Sequence, residues 1–90
     1  MSAFIVEQSA FLKCSVEIKE TKQGNNLWVC IKDGEAIIFP DLDSLIDYHF
    51  NGKQVERIYT EEEKLSEIYD YLDKGGYFED MPFGTKIKAA

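Results

Sequence analysis

The sequence predicts an α+β domain: an antiparallel β-meander of three to five strands with two α-helices packed on one face. Three observations support this prediction. Strand-like apolar patterns fill the first 40 residues, turn-forming residues separate them, and two stretches with helical spacing follow. A chain of 90 residues has room for one modest core. Residues 1–90 are therefore expected to form a single domain.

The first 40 residues are expected to form the meander. Residues 4–7 are a short apolar run, and residues 11–20 alternate apolar and polar side chains, the period of two that a half-buried strand requires. Turn chemistry at residues 23–26 leads into an apolar strand at 27–31. The pair Asp33-Gly34 predicts a tight hairpin into a further strand.

The turns also predict which residues face each other across the sheet. A two-residue turn at Asp33-Gly34 places Trp28 opposite Phe39. If Glu20 faces Leu27 across the preceding turn, one face carries a continuous apolar core. That predicted face consists of Cys14, Val16, Ile18, Leu27, Val29, Ile31, Ala36 and Ile38.

The two cysteines are expected to be reduced thiols. In this register Cys14 and Cys30 lie on opposite faces of the sheet, which excludes a disulfide between them. A shift of one residue in the pairing would reverse this conclusion.

Residues 41–74 are expected to hold two helices, with a short strand at 55–59 between them. Pro40-Asp41 opens the first helix and Asn51-Gly52 ends it. Thr60 and Glu63 have the spacing of a capping box for the second helix, which Gly75-Gly76 ends. The remaining segment, residues 75–90, is a tail that is aromatic first and basic last.

The negative charge is concentrated in the second half of the chain. The net charge is −7, and residues 41–80 carry twelve acids and four bases. Such a field favours a basic protein partner and disfavours direct binding to nucleic acid or to anionic membranes. With no signal peptide pattern and no run of about 18 apolar residues, a cytoplasmic location is expected, the host cytoplasm if the protein is viral.

Catalytic and metal-binding patterns are missing from the sequence. His49 is the single histidine and falls on the apolar side of its helix, as a core or boundary residue would. Neither paired Cys/His spacing for zinc nor a glycine-rich loop opening a helix is present. We therefore expect no enzyme, no metal and no cofactor.

Carboxylates three or four residues apart on a helix lie about 5–6 Å from each other, close to the spacing of charges along a polynucleotide. This pattern supports the hypothesis of a small, acidic, phage- or virus-encoded inhibitor, such as an anti-CRISPR or anti-restriction protein. It would imitate nucleic acid and occupy the basic surface of a host enzyme, for example a CRISPR nuclease, a restriction nuclease or a polymerase. The expected contacts are Asp43, Asp47, Glu62, Glu63, Glu67, Asp70, Asp73, Tyr69, Tyr77 and Phe78.

The alternative hypothesis is a structural or regulatory adaptor that docks through aromatic residues. Its contacts would be Trp28, Phe39 and the aromatic tail, and the charges would serve solubility alone. The tail could instead fold back and cover the face of the sheet that carries Trp28. A homodimer through a sheet edge or through that face is also left open.

Overall fold

The computed structural model describes residues 13–88 and confirms the α+β class. Five strands form one antiparallel sheet in chain order: β1 Ser15–Glu20, β2 Asn26–Lys32, β3 Glu35–Phe39, β4 Arg57–Glu61 and β5 Thr85–Ile87. Helix α1, Leu42–His49, connects β3 to β4, and helix α2, Leu65–Asp73, lies between β4 and β5. Short 3-10 turns occupy Glu62–Lys64 and Phe78–Asp80. The strand predicted at residues 4–7 lies outside the described residues, as do the first two residues of the strand predicted at 11–20.

The β2–β3 hairpin has the predicted register. Trp28 pairs with Phe39, and Lys32 pairs with Glu35 across a two-residue turn. Both turn residues have positive φ, 53° at Asp33 and 81° at Gly34, as a hairpin turn that matches the strand twist requires. Local turn chemistry is therefore sufficient to set this pairing.

The β1–β2 register differs from the prediction by one residue. Glu20 pairs with Asn26 and not with Leu27, because the buried Thr21 closes the turn early. The Thr21 backbone N–H donates to the carbonyl of Asn25 (2.7 Å), and its hydroxyl accepts from the Asn25 N–H (3.1 Å). The shift moves every side chain of β1 to the other face, so the predicted placement of Cys14, Val16 and Ile18 beside Val29 is wrong.

Each face of the sheet is covered by one helix, whereas the sequence predicted both helices on the same face. We call these the α1 face and the α2 face. Buried residues of the α2 face are Leu27, Val29, Ala36, Ile38, Ile58, Leu65, Ile68, Leu72, Phe78 and Met81. Buried residues of the α1 face are Trp28, Cys30, Phe39, Leu45 and Val55. Because consecutive residues of β2 are buried, this strand is apolar on both sides and needs cover on both.

The helix ends follow the sequence signals in part. The Asp41 carboxylate accepts a hydrogen bond from the Ser44 N–H (2.8 Å) and caps α1 as expected. The capping box predicted for α2 is wrong, because Thr60 lies within β4 and the N-cap residue, Lys64, makes no side-chain capping bond. Strand β4 accordingly lies two residues later than the strand predicted at 55–59.

The tail folds onto the α2 face and not onto the face of Trp28. Phe78 and Met81 join the core beneath α2, and the chain then forms β5 against β4. Lys86 stabilises the position of β5. Its ammonium forms an ion pair with Glu56 (3.2 Å) and donates a hydrogen bond to the backbone carbonyl of Glu79 (2.5 Å). The Trp28 side of the sheet is covered by α1 instead. Neither α1 nor α2 is long and apolar enough to cross a membrane.

Candidate functional site: an acidic end of the sheet

Four carboxylates meet where β3 begins and β4 ends. Glu35 is the first residue of β3 and pairs directly with Glu61, the last residue of β4. The chain then enters the 3-10 turn with Glu62 and Glu63, and the Glu62 N–H donates to the carbonyl of Gly34 (2.8 Å). This bond ties the acidic turn to the β2–β3 hairpin. We call the four exposed residues Glu35, Glu61, Glu62 and Glu63 the acidic end.

No member of the acidic end forms an ion pair with another described residue. Together with Gly34 the four carboxylates border an open depression of about 560 Å³. Like charges directly opposite each other in a sheet are unfavourable, by roughly 0.2–1 kcal/mol for a cross-strand pair. The pairing of Glu35 with Glu61 is therefore a small stability cost that the fold retains.

A second depression of about 310 Å³ adjoins the first and shares Glu35 and Glu61 with it. Its other lining residues are Tyr59, Thr60, Lys64, Gly84 and Thr85. The acidic end thus borders two open, adjoining depressions at this end of the sheet.

Of the three acids predicted as contacts on α2, two form ion pairs within the fold. Glu67 is exposed and has no ion pair among residues 13–88. Asp70 pairs with Lys74 (2.8 Å), and Asp73 pairs with Lys19 of β1 (2.8 Å). The two aspartates are therefore partly neutralised within the fold.

The acids predicted on α1 lie over the opposite face of the sheet. Asp43 is exposed in the first turn of α1. Asp47 accepts a hydrogen bond from the Asn51 side chain (2.9 Å) and lies 3.9 Å from the Lys53 ammonium. Because α1 and α2 cover different faces, the structure does not unite Asp43 and Asp47 with the acids of α2 in one surface.

Two members of the acidic end, Glu35 and Glu61, were missed by the sequence reasoning. They are far apart in the chain and meet only through the β3–β4 pairing. The available signal was their position beside turns, Glu35 after Asp33-Gly34 and Glu61 at the start of an acidic run.

The three aromatic residues predicted as contacts differ in exposure. Tyr77 is 56% exposed, whereas Phe78 is buried in the core of the α2 face. Tyr69 is half-buried and donates a hydrogen bond to Glu17 (3.3 Å). Burial, followed by the charge of Glu17 and that hydrogen bond, raises the pKa of Tyr69 to about 12. Of the three, Tyr77 is the most exposed.

The aromatic face of the alternative hypothesis is covered. Trp28 is 4% exposed and Phe39 is fully buried. Phe39 packs against Tyr48 and His49 of α1, with ring centroids 5.6 and 5.5 Å apart. These two residues therefore serve the core of the described structure and offer no docking surface in it.

A buried arginine joins α1 to β4, a feature that the sequence reasoning also missed. The Arg57 guanidinium lies over the ring of Tyr48 (4.4 Å to the centroid) and donates to the carbonyl of Val55 (2.7 Å) and the hydroxyl of Tyr59 (3.3 Å). The hydroxyls of Tyr48 and Tyr59 are 2.6 Å apart. Among the described residues no carboxylate pairs with Arg57. Tyrosine faces and oxygens therefore stabilise this charge.

The two tyrosines respond to this arrangement in opposite directions. Burial tends to raise the pKa of Tyr59, but the hydrogen bonds with Tyr48 and Arg57, and the charge of Arg57, lower it overall. The pKa of Tyr48 is raised, first by its hydrogen bond with Tyr59 and then by burial. The hydroxyl–hydroxyl hydrogen bond and the shared contact with Arg57 thus link α1 to β4.

His49 lies at the edge of the α1 core, as the sequence predicted. Its ring packs edge-on against Tyr48 (4.9 Å) and Phe39, and its Nε2 is buried without a hydrogen-bond partner in the described part of the chain. Burial lowers the pKa of His49 below the ordinary 6.5, because desolvation penalises the charged imidazolium.

This environment predicts a loss of stability on mild acidification. The unfolded chain takes up a proton at His49 near pH 6.5, whereas the folded protein takes up this proton only at lower pH. The contribution of His49 is therefore complete above pH 6.5 and is lost as the pH falls through the lowered folded-state pKa. Urea unfolding between pH 7.5 and 5.5 measures this loss, and His49→Phe should flatten the slope. An equal slope in the variant would assign the pH dependence to other groups.

Neither a metal centre nor a relative explains the site. Among residues 13–88, no group of three or more His, Cys, Asp or Glu side chains could hold a metal ion. Comparison with protein-family models, curated proteins and solved structures finds no match to this chain.

Proposed function

We propose that this protein is a small acidic inhibitor that acts by binding and not by catalysis. Its acidic end would occupy the basic nucleic-acid-binding surface of another protein. The observation that carries the proposal is the meeting of Glu35, Glu61, Glu62 and Glu63, which are exposed, adjacent and without ion pairs in the described structure.

The spacing of these charges supports the proposal. Residues directly opposite in an antiparallel sheet have Cβ atoms about 4.5–5.5 Å apart, and helical neighbours are about 5–6 Å apart. Both distances are comparable to the spacing of phosphates along a polynucleotide. Glu67, one turn beyond Glu63, extends the row along α2. A surface that binds phosphates with lysine and arginine would meet carboxylates at similar intervals.

The repulsion between carboxylates of the acidic end also supports the proposal. The repulsion between Glu35 and Glu61 is relieved when a cation binds between them, so part of the binding free energy is stored in the free protein. The net charge of −7 adds a long-range field that accelerates encounter with a basic partner. The partner class in this proposal is a nucleic-acid-processing enzyme of a host, such as a CRISPR or restriction nuclease or a polymerase, met in the host cytoplasm by a phage- or virus-encoded chain.

The decisive experiment is affinity capture from a bacterial lysate at low salt, followed by stepwise elution with rising salt and identification of the eluted proteins. The proposal predicts a basic nucleic-acid enzyme that elutes at moderate salt, because charge-led contacts weaken steeply with ionic strength. Added DNA should compete with the protein for that enzyme. A partner that remains bound at high salt and ignores DNA would refute the proposal.

A matched pair of variants locates the contact. Glu62→Gln/Glu63→Gln removes two adjacent acids from the 3-10 turn of the acidic end, and Glu79→Gln/Asp80→Asn removes two adjacent acids from the other 3-10 turn. Both change the net charge equally. We expect the first variant to bind its partner about two- to thirtyfold more weakly, since an exposed ion pair contributes roughly 0.2–1 kcal/mol. Equal losses in a titration of the two variants would show that net charge alone matters.

A further inference from the structure

Cys14, the residue before β1, packs on the α1 face of the sheet, which also carries Cys30 of β2. Val16 of β1 pairs with Cys30, and Cys14 lies two residues before Val16. Both cysteines are free thiols and both line a cavity of about 270 Å³ on the α1 face. Its other lining residues are Lys32, Asp33, Glu35 and Ile37.

The two thiols differ in environment. Cys30 is 4% exposed, and burial, then the charge of Cys14 and a hydrogen bond with its thiol, raise the pKa of Cys30 to about 12. Cys30 therefore remains a protonated thiol at neutral pH. Cys14 is only half-buried and lines the cavity together with Lys32, Asp33 and Glu35. Because it is accessible from solvent, Cys14 is the thiol that a small oxidant reaches first.

We propose that Cys14 and Cys30 form a peroxide-reactive dithiol that closes to an intramolecular disulfide. The Cys14 thiolate attacks one oxygen of hydrogen peroxide, the O–O bond breaks, and Cys14 becomes a sulfenic acid while the released hydroxide takes up a proton to form water. The Cys30 sulfur then attacks the sulfenic sulfur. The S–O bond breaks, and the hydroxyl leaves as water with the thiol proton of Cys30. Two thiols are oxidised and one peroxide is reduced to two waters.

The backbone allows the closure. A disulfide accepts Cα atoms up to ~6.8 Å apart. The two cysteines line the same cavity, so closure requires a movement of the residue before β1 and no rearrangement of the sheet. Cys14 precedes the first paired residue, Ser15, and follows Lys13, whose φ is 56°. Its movement breaks no bond of the β1–β2 ladder.

The test is hydrogen peroxide titration of the whole protein, followed by intact-mass measurement and non-reducing peptide mapping. We expect the loss of two hydrogens, a peptide that links Cys14 to Cys30 within one chain, and full reversal by dithiothreitol. Cys30→Ser should stop at a sulfenic acid on Cys14 that dimedone traps. Cys14→Ser should consume peroxide at least about tenfold more slowly, because the remaining thiol is rarely ionised.

Three results would overturn the inference: sulfinic acid at Cys14 as the main product of the wild-type protein, disulfides that join two chains, or equal reaction rates for Cys14→Ser and Cys30→Ser. Circular dichroism of both variants shows whether they keep the fold. The measurements involve no binding partner, so they stand or fall independently of the proposed inhibitor function.

Discussion

Replacing Ile38 by alanine is expected to lower the free energy of unfolding by about 2–5 kcal/mol, whereas Ile18→Ala should lower it by less than about 1 kcal/mol. The chemistry of the two changes is identical. Ile38 is fully buried in the centre of the α2 face, and its removal leaves a cavity among packed side chains. Ile18 is 47% exposed on the outermost strand β1, where water fills the space.

Urea unfolding of the two variants beside the parent protein measures this difference. The comparison tests the register of β1, because the pairing expected from the sequence places both isoleucines on one buried face. The observed pairing of Ile18 with Trp28 places them on opposite faces. Similar losses in the two variants would favour the register expected from the sequence and contradict the structure.

Gly84→Ala is expected to destabilise the protein by about 2–5 kcal/mol and to loosen β5. Gly84 has a φ of +92°, a conformation that strains any residue with a Cβ. The added Cβ would also lie 2.5 Å from the carbonyl oxygen of Tyr59 and 3.1 Å from Ile58 and Thr60 atoms. Because the first of these contacts is to backbone, β4 and β5 must separate to relieve it.

Gly24→Ala is the matched control for this change. Gly24 has nearly the same φ, +87°, but a Cβ there meets no atom within 4 Å. The control therefore reports the conformational strain alone, about 1–2 kcal/mol. Urea unfolding gives the two losses, and amide hydrogen exchange in β5 reports its detachment. If both variants lose equal stability and β5 stays protected, the close approach of Gly84 to β4 is refuted.

Several elements of the fold could be predicted from the sequence because short-range interactions determine them. The Asp33-Gly34 turn sets the β2–β3 pairing, Asp41 caps the first turn of α1, and Gly75 ends α2 with a φ of +97°. In each case the structural preference is decided within four or five residues. All of these short-range signals can be read directly in the sequence.

The register of β1 was not predictable in this way. The connection from β1 to β2 contains several residues that suit a turn, and pairings that differ by one residue are similar in local energy. The choice depends on Thr21, which is buried and binds Asn25 from within the turn. Burial of a threonine at the end of a strand is a property of the assembled core and carries no local signal.

The candidate site was likewise predictable from the sequence only in part. The concentration of acids in residues 41–80 is evident from the sequence, as is the absence of paired cysteine and histidine spacing. The sequence pattern also placed acids of α1 and α2 in one contact set, although the helices cover different faces. Glu35 joined the acidic end only through the β3–β4 pairing.

By itself, the sequence determined the class of the fold, the β2–β3 hairpin, the boundaries set by Asp41 and Gly75, and the sign and amount of the charge. Only the tertiary structure decided which face each helix covers, which carboxylates meet at the acidic end, and that Cys14 lies beside Cys30. The reason is geometric. Side chains alternate across a sheet, so a shift of one residue exchanges the two faces, and packing between distant segments selects the register.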